Sequence, residues 1–401
     1  TANFNLKATQ TAYNNLVINL NNGITATQLN DLTINGNLQV KKGIYCINDN
    51  SAARRQLTIN GNVLVDSGAS IIIGTGNTST GDITGATTAA PFIDYYDLNS
   101  HRVVVNGDFT NNGTVKFTNQ AYPVYNAFPG NGMATVYFRG GANSTLTCNG
   151  TTDFYNIVLD KGIDQSFSLT VYSSAYTNFR LFGRNDQGGE NGTANPDLRK
   201  ALWIRNGTLV LQGLTVIPSL TEANSGGSPN GDFYIPANGA LTLDGSEVVV
   251  LSTADDYREV NVAYGVAAAD NTAMGILASG GTQSFSVYGK FQVNNGYFST
   301  RESGGLITWN VSSGQFVING GIIDAKQFRS AGGGGGLASY DQSGGTLILR
   351  GRFQRNSSPY SSVNDLINAS INTTRASGGL NGALGTFNLN RSEERRVGKE
   401  C

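Results

Sequence analysis

The sequence predicts an all-β fold, a right-handed parallel β-helix with coils of about 25 residues. Three observations support this prediction. The hexapeptide LTINGN occurs at residues 32–37 and recurs, one predicted coil later, at residues 57–62. Apolar and polar residues alternate through much of the chain, and Asn-Gly dipeptides recur between the alternating segments.

A looser template extends the repeat along the chain: Gly, any residue, an apolar residue, any residue, an apolar residue. It starts at Gly36, Gly61, Gly113, Gly207, Gly239, Gly289, Gly314 and Gly345. The spacings between successive starts cluster near one, two and four multiples of the predicted period, with occasional insertions. For the first 390 residues this period predicts about 15 coils, and the strand spacing of about 4.8 Å predicts a rod on the order of 70 Å long.

The local pattern identifies the repeating element as a strand. Leu32 and Ile34 in one segment, like Leu209 and Leu211 in another, are separated by one polar or variable residue. This period of two is typical of a strand with one buried face. No segment shows a convincing 3.6-residue apolar period with helix caps, so leucine-rich and helical repeats are disfavoured.

The Asn-Gly dipeptide occurs fourteen times and predicts the corners between strands. Asn and Gly both tolerate positive φ, so the pair can turn the chain at low cost. In seven of eight aligned corners the residue three positions after the Asn is apolar; these residues are Leu38, Val63, Phe109, Leu209, Leu241, Phe298 and Ile322, and Thr152 is the exception. We therefore expect each corner to return the next strand to one core, with Phe109 and Phe298 inside it.

Two architectures use strand, Asn-Gly, strand units. An antiparallel meander would give a propeller or a sandwich. A parallel β-helix is favoured, because the apolar residues on either side of a corner, such as Ile34 and Leu38, must face one interior. Stacked Asn corners are then expected to form side-chain ladders.

Composition limits the partners. The chain of 401 residues is 39% hydrophobic, only 14% charged and has a formal net charge of −1. It has enough apolar residues for a large core, but no basic field for nucleic acid or an anionic membrane. No apolar run approaches the roughly 18 residues that a membrane span needs.

Neither the cysteines nor the beginning of the chain identifies the cellular compartment of the protein. Cys46, Cys148 and Cys401 are too few and too scattered for a disulfide framework or a zinc site. The sequence begins at Thr1 without a secretory signal. We expect either that a signal has been removed or that the beginning of the protein lies upstream.

The last eleven residues, RSEERRVGKEC at 391–401, differ abruptly from the rest because seven of them are charged. The string resembles the translation of a sequencing adapter at all eleven positions. We interpret it as a non-native tail and residues 1–390 as the β-helix, a fragment of a longer protein.

Three segments carry a family resemblance: AYNNLVINLNNG from Ala12, LTINGNLQV from Leu32 and DFYNIVLDKG from Asp153. They resemble the repeats of large secreted and cell-surface proteins of Bacteroidota, many of which are exported by the type IX secretion system. The resemblance implies a β-helical or otherwise all-β stalk, an adhesin-like role and an extracellular or cell-surface location. It specifies a style of repeat rather than an activity, and the C-terminal sorting domain common in those proteins is not seen here.

Parallel β-helices often carry polysaccharide lyases and glycosidases, so candidate active-site residues were sought. In TADDYREV, residues 253–260, Asp255 and Asp256 could supply paired carboxylates, with Arg258 nearby. A polygalacturonase-like site would also need a downstream Gly-His-Gly segment, whereas the single histidine, His101, lies upstream. Solvated loop carboxylates are the preferred interpretation.

A second cluster, DYYDLNSHR at residues 94–102, gathers Asp94, Asp97, His101 and Arg102 beside Tyr95 and Tyr96. It could contact a sugar through a tyrosine or bind Ca²⁺ through the aspartates. No calcium-loop repeat accompanies it, so a polar inserted loop is favoured. The glycine run at residues 332–336 lacks the Lys-Ser or Lys-Thr of a phosphate-binding loop and indicates an insertion.

The sequence therefore predicts no catalytic, cofactor-binding or metal-binding residues and no cofactor. It favours a non-catalytic extracellular stalk or adhesin that presents loops from a rigid β-helix, with surface glycans or environmental polysaccharides as partners and without nucleic acid or a membrane span. The alternative is a carbohydrate-active β-helix enzyme, a polysaccharide lyase or glycoside hydrolase.

Overall fold

The structure is built almost entirely from short β-strands. A computed structural model describes residues 2–48, 55–74, 101–119, 132–182, 201–217, 222–223, 229–230, 233–251, 283–300, 305–309, 314–326, 328–330, 339–349 and 353–354. These residues form strands β1 to β36 and no α-helix, so the all-β prediction is confirmed. No helix in the described part of the chain is long and apolar enough to cross a membrane.

Most strands belong to three ladders, which the chain visits in rotation. Ladder I contains β2 (Ala12–Tyr13), β5 (Leu32–Ile34), β8 (Gln56–Ile59), β11 (His101–Val105), β14 (Ala134–Gly140), β17 (Asn156–Lys161), the first half of β20 (Leu202–Gly213), β24 (Phe233–Ile235), β27 (Gln283–Val287), β30 (Gly305–Trp309), β33 (Phe328–Ser330) and β36 (Phe353–Gln354). Ladder II contains β3 (Leu16–Asn19), β6 (Leu38–Lys42), β9 (Val63–Val65), β12 (Phe109–Asn111), β15 (Ser144–Cys148), β18 (Ser168–Ser173), the second half of β20, β25 (Gly239–Leu243), β28 (Lys290–Val293), β31 (Gln315–Ile318) and β34 (Ser339–Gln342).

Ladder III completes each circuit of the chain. It contains β1 (Phe4–Asn5), β4 (Thr25–Thr27), β7 (Ile44–Cys46), β10 (Ser70–Ile72), β13 (Thr114–Lys116), β16 (Thr152–Phe154), β19 (Phe179–Leu181), β21 (Val216–Ile217), β26 (Val249–Leu251), β29 (Tyr297–Thr300), β32 (Ile322–Ala325) and β35 (Thr346–Leu349). Pairing within the ladders is parallel, as predicted. In the part of the chain that the structure describes, ladder I is divided into two sheets between β20 and β24, and ladder III between β19 and β21. Among the described strands, the pair β22 (Glu222–Ala223) and β23 (Pro229–Asn230) is antiparallel.

The register of ladder II explains the sequence repeat. Leu38 pairs with Val63, which lies one repeat period further along the chain. Six of the eight glycines that begin the template lie at or just before the start of a ladder II segment; the remaining two, Gly113 and Gly345, precede β13 and β35 of ladder III. The template therefore marks mainly one side of the repeated circuit.

Some circuits are longer than one repeat period. Val63 pairs with Phe109, and Leu243 pairs with Val293, so each of these single circuits takes up nearly two repeat periods of sequence. Ladder II contains eleven described strands, which at a spacing of about 4.8 Å extend over about 48 Å. The strand register of ladder II is regular on both sides of these long intervals.

The interior is one continuous hydrophobic cluster that extends from Leu16 to Phe328. Strands contribute alternate residues to it, such as Leu38 and Val40, which are 1% and 0% exposed. Phe109 and Phe298 lie inside, as predicted. Aromatic rings pack together both within and between circuits: the centroids of Phe285 and Phe298, in one circuit, are 4.4 Å apart, and those of Phe154 and Phe179, in successive circuits, are 5.7 Å apart.

The corner prediction is wrong for Ile322, which is 39% exposed, while its neighbour Ile323 is fully buried. The cause is a shift in register: Phe298 pairs with Ile323, so Asn319 occupies the position of Asn294 rather than that of Asn295. Thr152, the polar exception in the sequence pattern, is nevertheless fully buried. Its hydroxyl donates to Gly150 O and accepts from Asn111 Nδ2.

The stacked Asn corners form a side-chain ladder, which confirms that expectation. The Oδ1 atoms of three asparagines each accept the backbone N–H of the next corner: Asn15 from Asn37 at 2.8 Å, Asn37 from Asn62 at 2.8 Å and Asn62 from Asp108 at 2.9 Å. Each bond satisfies a corner amide that no strand pairs, so the ladder stabilises the turns between ladders I and II.

The predicted reason for the glycines in this ladder is wrong. Positive φ occurs at Gly207 and Gly296 but not at Gly61 or its stacked neighbours. A Cβ atom at Gly61 would lie 2.6 Å from Gly36 O and would also collide with Asn37 Oδ1. Glycine is required there because successive corners approach closely, rather than for its backbone conformation.

Replacing Gly61 with Ala should therefore destabilise the protein by about 2–4 kcal/mol, because the methyl group pushes the corners apart and breaks an amide ladder bond. Gly141→Ala is the matched control, since the nearest atom to its added Cβ is Phe167 Cε2 at 3.8 Å. Urea unfolding of both variants measures the difference. Equal midpoints would contradict the close-approach explanation.

Candidate functional site

The outward face of ladder I, on β11, β14, β17 and β20, carries a cluster of aromatic and charged side chains. Residues on this face would normally meet solvent, because their neighbours in the chain point into the core. Instead Val104, Tyr137, Val158 and Trp203 are buried and form a second hydrophobic cluster together with Met133 and Tyr155. This set is termed the outer cluster.

Strand register places the outer cluster in one row. Val104 pairs with Tyr137, Tyr137 with Val158, and Val158 with Trp203. The row therefore crosses four successive circuits at one height. In sequence, β14 reads ATVYFRG, and both of its faces are apolar around Tyr137, which is the pattern of a strand buried on both sides.

Arginines surround the aromatic rings of the outer cluster. The guanidinium carbons of Arg102 and Arg139 each lie 4.5 Å from the centroid of the Tyr137 ring. The guanidinium of Arg205 lies 5.3 Å from the centroid of Trp203. Such cation–π contacts stabilise partly buried arginines and keep the rings in fixed positions.

Asp160 connects two of these arginines. Its Oδ2 lies 3.2 Å from Arg139 Nε and 3.6 Å from Arg205 Nη1, and its Oδ1 accepts a hydrogen bond from Asn206 Nδ2 at 2.8 Å. The register of β17 and β20 shifts at Asp160, which brings both Arg205 and Asn206 to it. Because both oxygens are engaged by donors, Asp160 is placed to hold this face together rather than to transfer protons.

Asn156 is an exception among the polar residues of this face. It is fully buried at the start of β17, and neither Oδ1 nor Nδ2 has a hydrogen-bond partner. An unpaired buried amide costs about 1–3 kcal/mol. Thr135, its register partner in β14, is also fully buried.

The structure describes two of the residues singled out in the sequence. His101 is fully buried at the start of β11, and its Nδ1 accepts the backbone N–H of Arg55 at 2.9 Å. Arg102 packs on Tyr137. His101 is thus held by the backbone of an adjacent circuit, in keeping with a structural histidine. Asp94, Tyr95, Tyr96, Asp97, Asp255, Asp256, Arg258, the glycines at 332–336 and the tail at 391–401 lie outside the described residues.

A buried amine closes the corner beside this face. Lys161 is fully buried at the end of β17, and its Nζ donates to Arg139 O at 3.0 Å and to Ala142 O at 2.9 Å. Loss of hydration lowers the pKa of Lys161, and the negative charge of Asp108 partly opposes that effect. Its two backbone acceptors show that the amine fastens the corner.

A buried ion pair stabilises ladder III. Asp153 and Arg180 are register partners on β16 and β19, and the guanidinium forms two hydrogen bonds to the carboxylate, of 2.6 Å and 2.7 Å. The Asp153 side chain is only 5% exposed. Within the described residues, no group of three or more His, Cys, Asp or Glu side chains is arranged to hold a metal ion.

An exposed aromatic ring marks the outward face of ladder II. Tyr172 is 42% exposed, and its register neighbours are Thr147 and Gln212. The row continues through Thr110 to Leu64 and contains no charged side chain. A tyrosine ring beside hydroxyl and amide groups is a surface suited to a neutral polar ligand.

Two buried acids predict a loss of stability in alkali. Burial raises the pKa of the Cys148 thiol from its ordinary value of 9.0 to about 12, although the Thr152 hydroxyl acts in the opposite direction. Burial also raises the pKa of Tyr45 well above its usual range, as do the nearby Cys46 and Tyr13. Both groups lose protons more readily when unfolded, so their contribution is complete at neutral pH and declines as the pH rises above about 9.

Stability should fall by about 1.4 kcal/mol per pH unit for each buried acid above its unfolded pKa. Urea unfolding between about pH 8 and pH 11 measures the slope. Cys148→Ala should remove the component that begins near pH 9, and Tyr45→Phe should remove the one that begins near pH 10. Unchanged slopes in both variants would show that other groups control alkaline unfolding.

Comparison with protein-family models, with curated proteins and with solved structures finds no match to this chain.

Proposed function

We propose that residues 1–390 form a right-handed parallel β-helix that serves as a non-catalytic extracellular stalk or adhesin. The observation that carries this proposal is the continuous core, which passes through all three ladders from Leu16 to Phe328. Each circuit packs on the one before it, so every added circuit lengthens the fold along one axis, as in repeat proteins. Such a fold supports the display of loops at a distance from an attachment point.

The corner ladder and the ion pairs between circuits favour a stiff stack. The Asn side chains bond each corner to the next, and the Asp153–Arg180 pair joins successive strands of ladder III. The resemblance of the Asn-rich segments to Bacteroidota surface repeats supports export to the cell surface. Stiffness between circuits and a surface location are the properties that a stalk requires.

For the adhesin role we propose neutral glycans as the partner and the Tyr172 row of ladder II as the contact surface. The exposed ring offers a stacking face, and the Thr147 hydroxyl on one side and the Gln212 amide oxygen on the other offer hydrogen-bonding groups. The row holds no charge from Leu64 to Gln212, and the charge beside its end is negative: Asp244 Oδ2 accepts a hydrogen bond from Gln212 Nε2 at 2.9 Å. A carboxylate at this position disfavours an acidic polymer and favours a neutral one.

Incubation with a panel of neutral and acidic polysaccharides tests the proposal. Binding without product release is the expected result, and Tyr172→Ala should weaken binding by at least about fivefold. Phe4→Ala is the matched control, because Phe4 is 43% exposed but lies on ladder III.

Product release would favour the alternative, a polysaccharide lyase or glycoside hydrolase. Asp255→Asn and Asp256→Asn variants then decide whether the predicted carboxylates carry the reaction. Release that depends on either aspartate would overturn the non-catalytic assignment.

A further inference from the structure

Asn-Gly pairs are chemically labile, because the glycine N–H can attack the preceding carboxamide, and the fold treats its ten described pairs differently. In most of them the glycine N–H donates to a backbone carbonyl. Gly61 N donates to Gly36 O at 2.9 Å, and Gly320 N donates to Val293 O at 3.2 Å. A nitrogen held in this way is directed away from the asparagine side chain.

Asn295–Gly296 is arranged differently. The N–H of Gly296 donates to Oδ1 of Asn295 itself, with an N–O distance of 2.9 Å. The carboxamide carbon is bonded to that oxygen, so the nitrogen and the carbon that it would attack are held side by side. The side chain of Asn295 is exposed, which gives water access to it.

The difference follows from the shape of this corner. Tyr297 pairs with Ile322. Asn295 and Gly296 therefore occupy the positions that Gly320 and Gly321 have in the next circuit. Gly296 and Gly321 both have positive φ, at 92° and 68°. Asn295 therefore stands where the neighbouring circuit has a glycine, outside the side-chain ladder formed by Asp244, Asn294 and Asn319.

We propose that Asn295 is a site of spontaneous deamidation, a covalent modification selected by the fold. The Gly296 nitrogen forms a bond to Cγ of Asn295, the bond from Cγ to Nδ2 breaks, and the proton from Gly296 leaves with the amide nitrogen as ammonia. Water then opens the resulting succinimide to aspartate or isoaspartate. No oxidant or reductant is involved. Because the hydrogen bond already holds the Gly296 nitrogen beside the Asn295 side chain, little conformational entropy is lost on reaching the reactive arrangement.

The product changes the corner between ladders II and III. A carboxylate at position 295 lies next to Asn294, whose Nδ2 donates to Asp244 Oδ1 at 2.9 Å. An added negative charge beside Asp244 opposes this arrangement, and isoaspartate also lengthens the main chain at the turn. The modification would thus mark older molecules at one defined corner.

Peptide mass mapping of the full chain, aged in the folded state and in urea, tests this proposal, with isoaspartyl-specific methylation as a second measurement. Each site is compared with its own rate in the unfolded chain, which removes the effect of sequence. Asn319 is the matched control, because it is equally an exposed Asn-Gly corner but its Nδ2 donates to Asn294 Oδ1 and its glycine N–H is bonded elsewhere.

Folding should slow deamidation of Asn319 by at least about tenfold and leave Asn295 at or above its unfolded rate. Asn295→Gln should abolish the signal at this corner, because the longer side chain requires a six-membered ring. Protection of Asn295 equal to that of Asn319 would overturn the proposal.

Discussion

Removal of residues 38–62 should leave a folded protein that is one circuit shorter, whereas removal of residues 38–46 should abolish cooperative folding. Leu38 and Val63 are register partners, so the first deletion takes out one complete circuit of the chain. Because LTINGN precedes both positions, the new junction reproduces the wild-type sequence around β9. The strand that follows therefore enters ladder II in phase.

The shorter deletion removes β6 and β7 and takes the chain out of phase. β8 would then follow a ladder I corner and be forced into ladder II, and its inward residues Leu57 and Ile59 would lose their partners in ladder I. Both deletions remove Tyr45 and its bond to Gln28, so that loss is common to the two. The two deletions differ in whether each following strand returns to its own ladder.

Thermal unfolding by circular dichroism and limited proteolysis distinguish the two variants. The in-phase deletion should retain one cooperative transition, and small-angle scattering should show a particle shorter by about 4.8 Å. The out-of-phase variant should be degraded rapidly. Equal stability of the two deletions would contradict the rotating three-ladder arrangement and, with it, the proposed β-helix.

The same periodicity explains why the all-β class and the parallel pairing were predicted correctly. Alternation and the repeat interval are local signals, and they correctly indicated parallel strands and the inward residues of ladder II, such as Leu209 and Leu241. Division of the chain by one repeat period made no allowance for long circuits such as the one from Val63 to Phe109. The misplaced Ile322 shows that Asn-Gly alone does not fix register when Asn294 and Asn295 are adjacent.

The outer cluster was missed for a different reason. Tyr137 and Trp203 lie on faces that alternation assigns to solvent, and only stacking of four circuits brings them into one row. The apolar run in β14 was the available signal. Arg139 meets Asp160 through the regular register of β14 and β17, but the approach of Arg205 to Asp160 depends on a register shift between β17 and β20, which no sequence pattern predicts.

Asp153→Ala should cost about 3–5 kcal/mol of stability, the largest effect expected for a single side chain here. The carboxylate is 5% exposed, and its two oxygens accept the Nε and Nη2 donors of Arg180. Its removal leaves a guanidinium that is only 19% exposed and has lost its carboxylate. Packing of Arg180 over the Phe182 ring, at 5.3 Å, keeps the cation at this position.

A double variant separates the charge from the packing. Asp153→Leu combined with Arg180→Met removes both charges and should recover most of the lost stability, because apolar residues of similar volume replace a buried ion pair at little net cost. Asp66→Ala is the carboxylate control; Asp66 accepts one 3.1 Å hydrogen bond from Gln39, and its loss should cost about 1 kcal/mol or less. Urea unfolding measures all three variants. If Asp153→Ala matched Asp66→Ala, the pair would contribute no more than a surface contact, and the hydrophobic core alone would hold successive strands of ladder III in register.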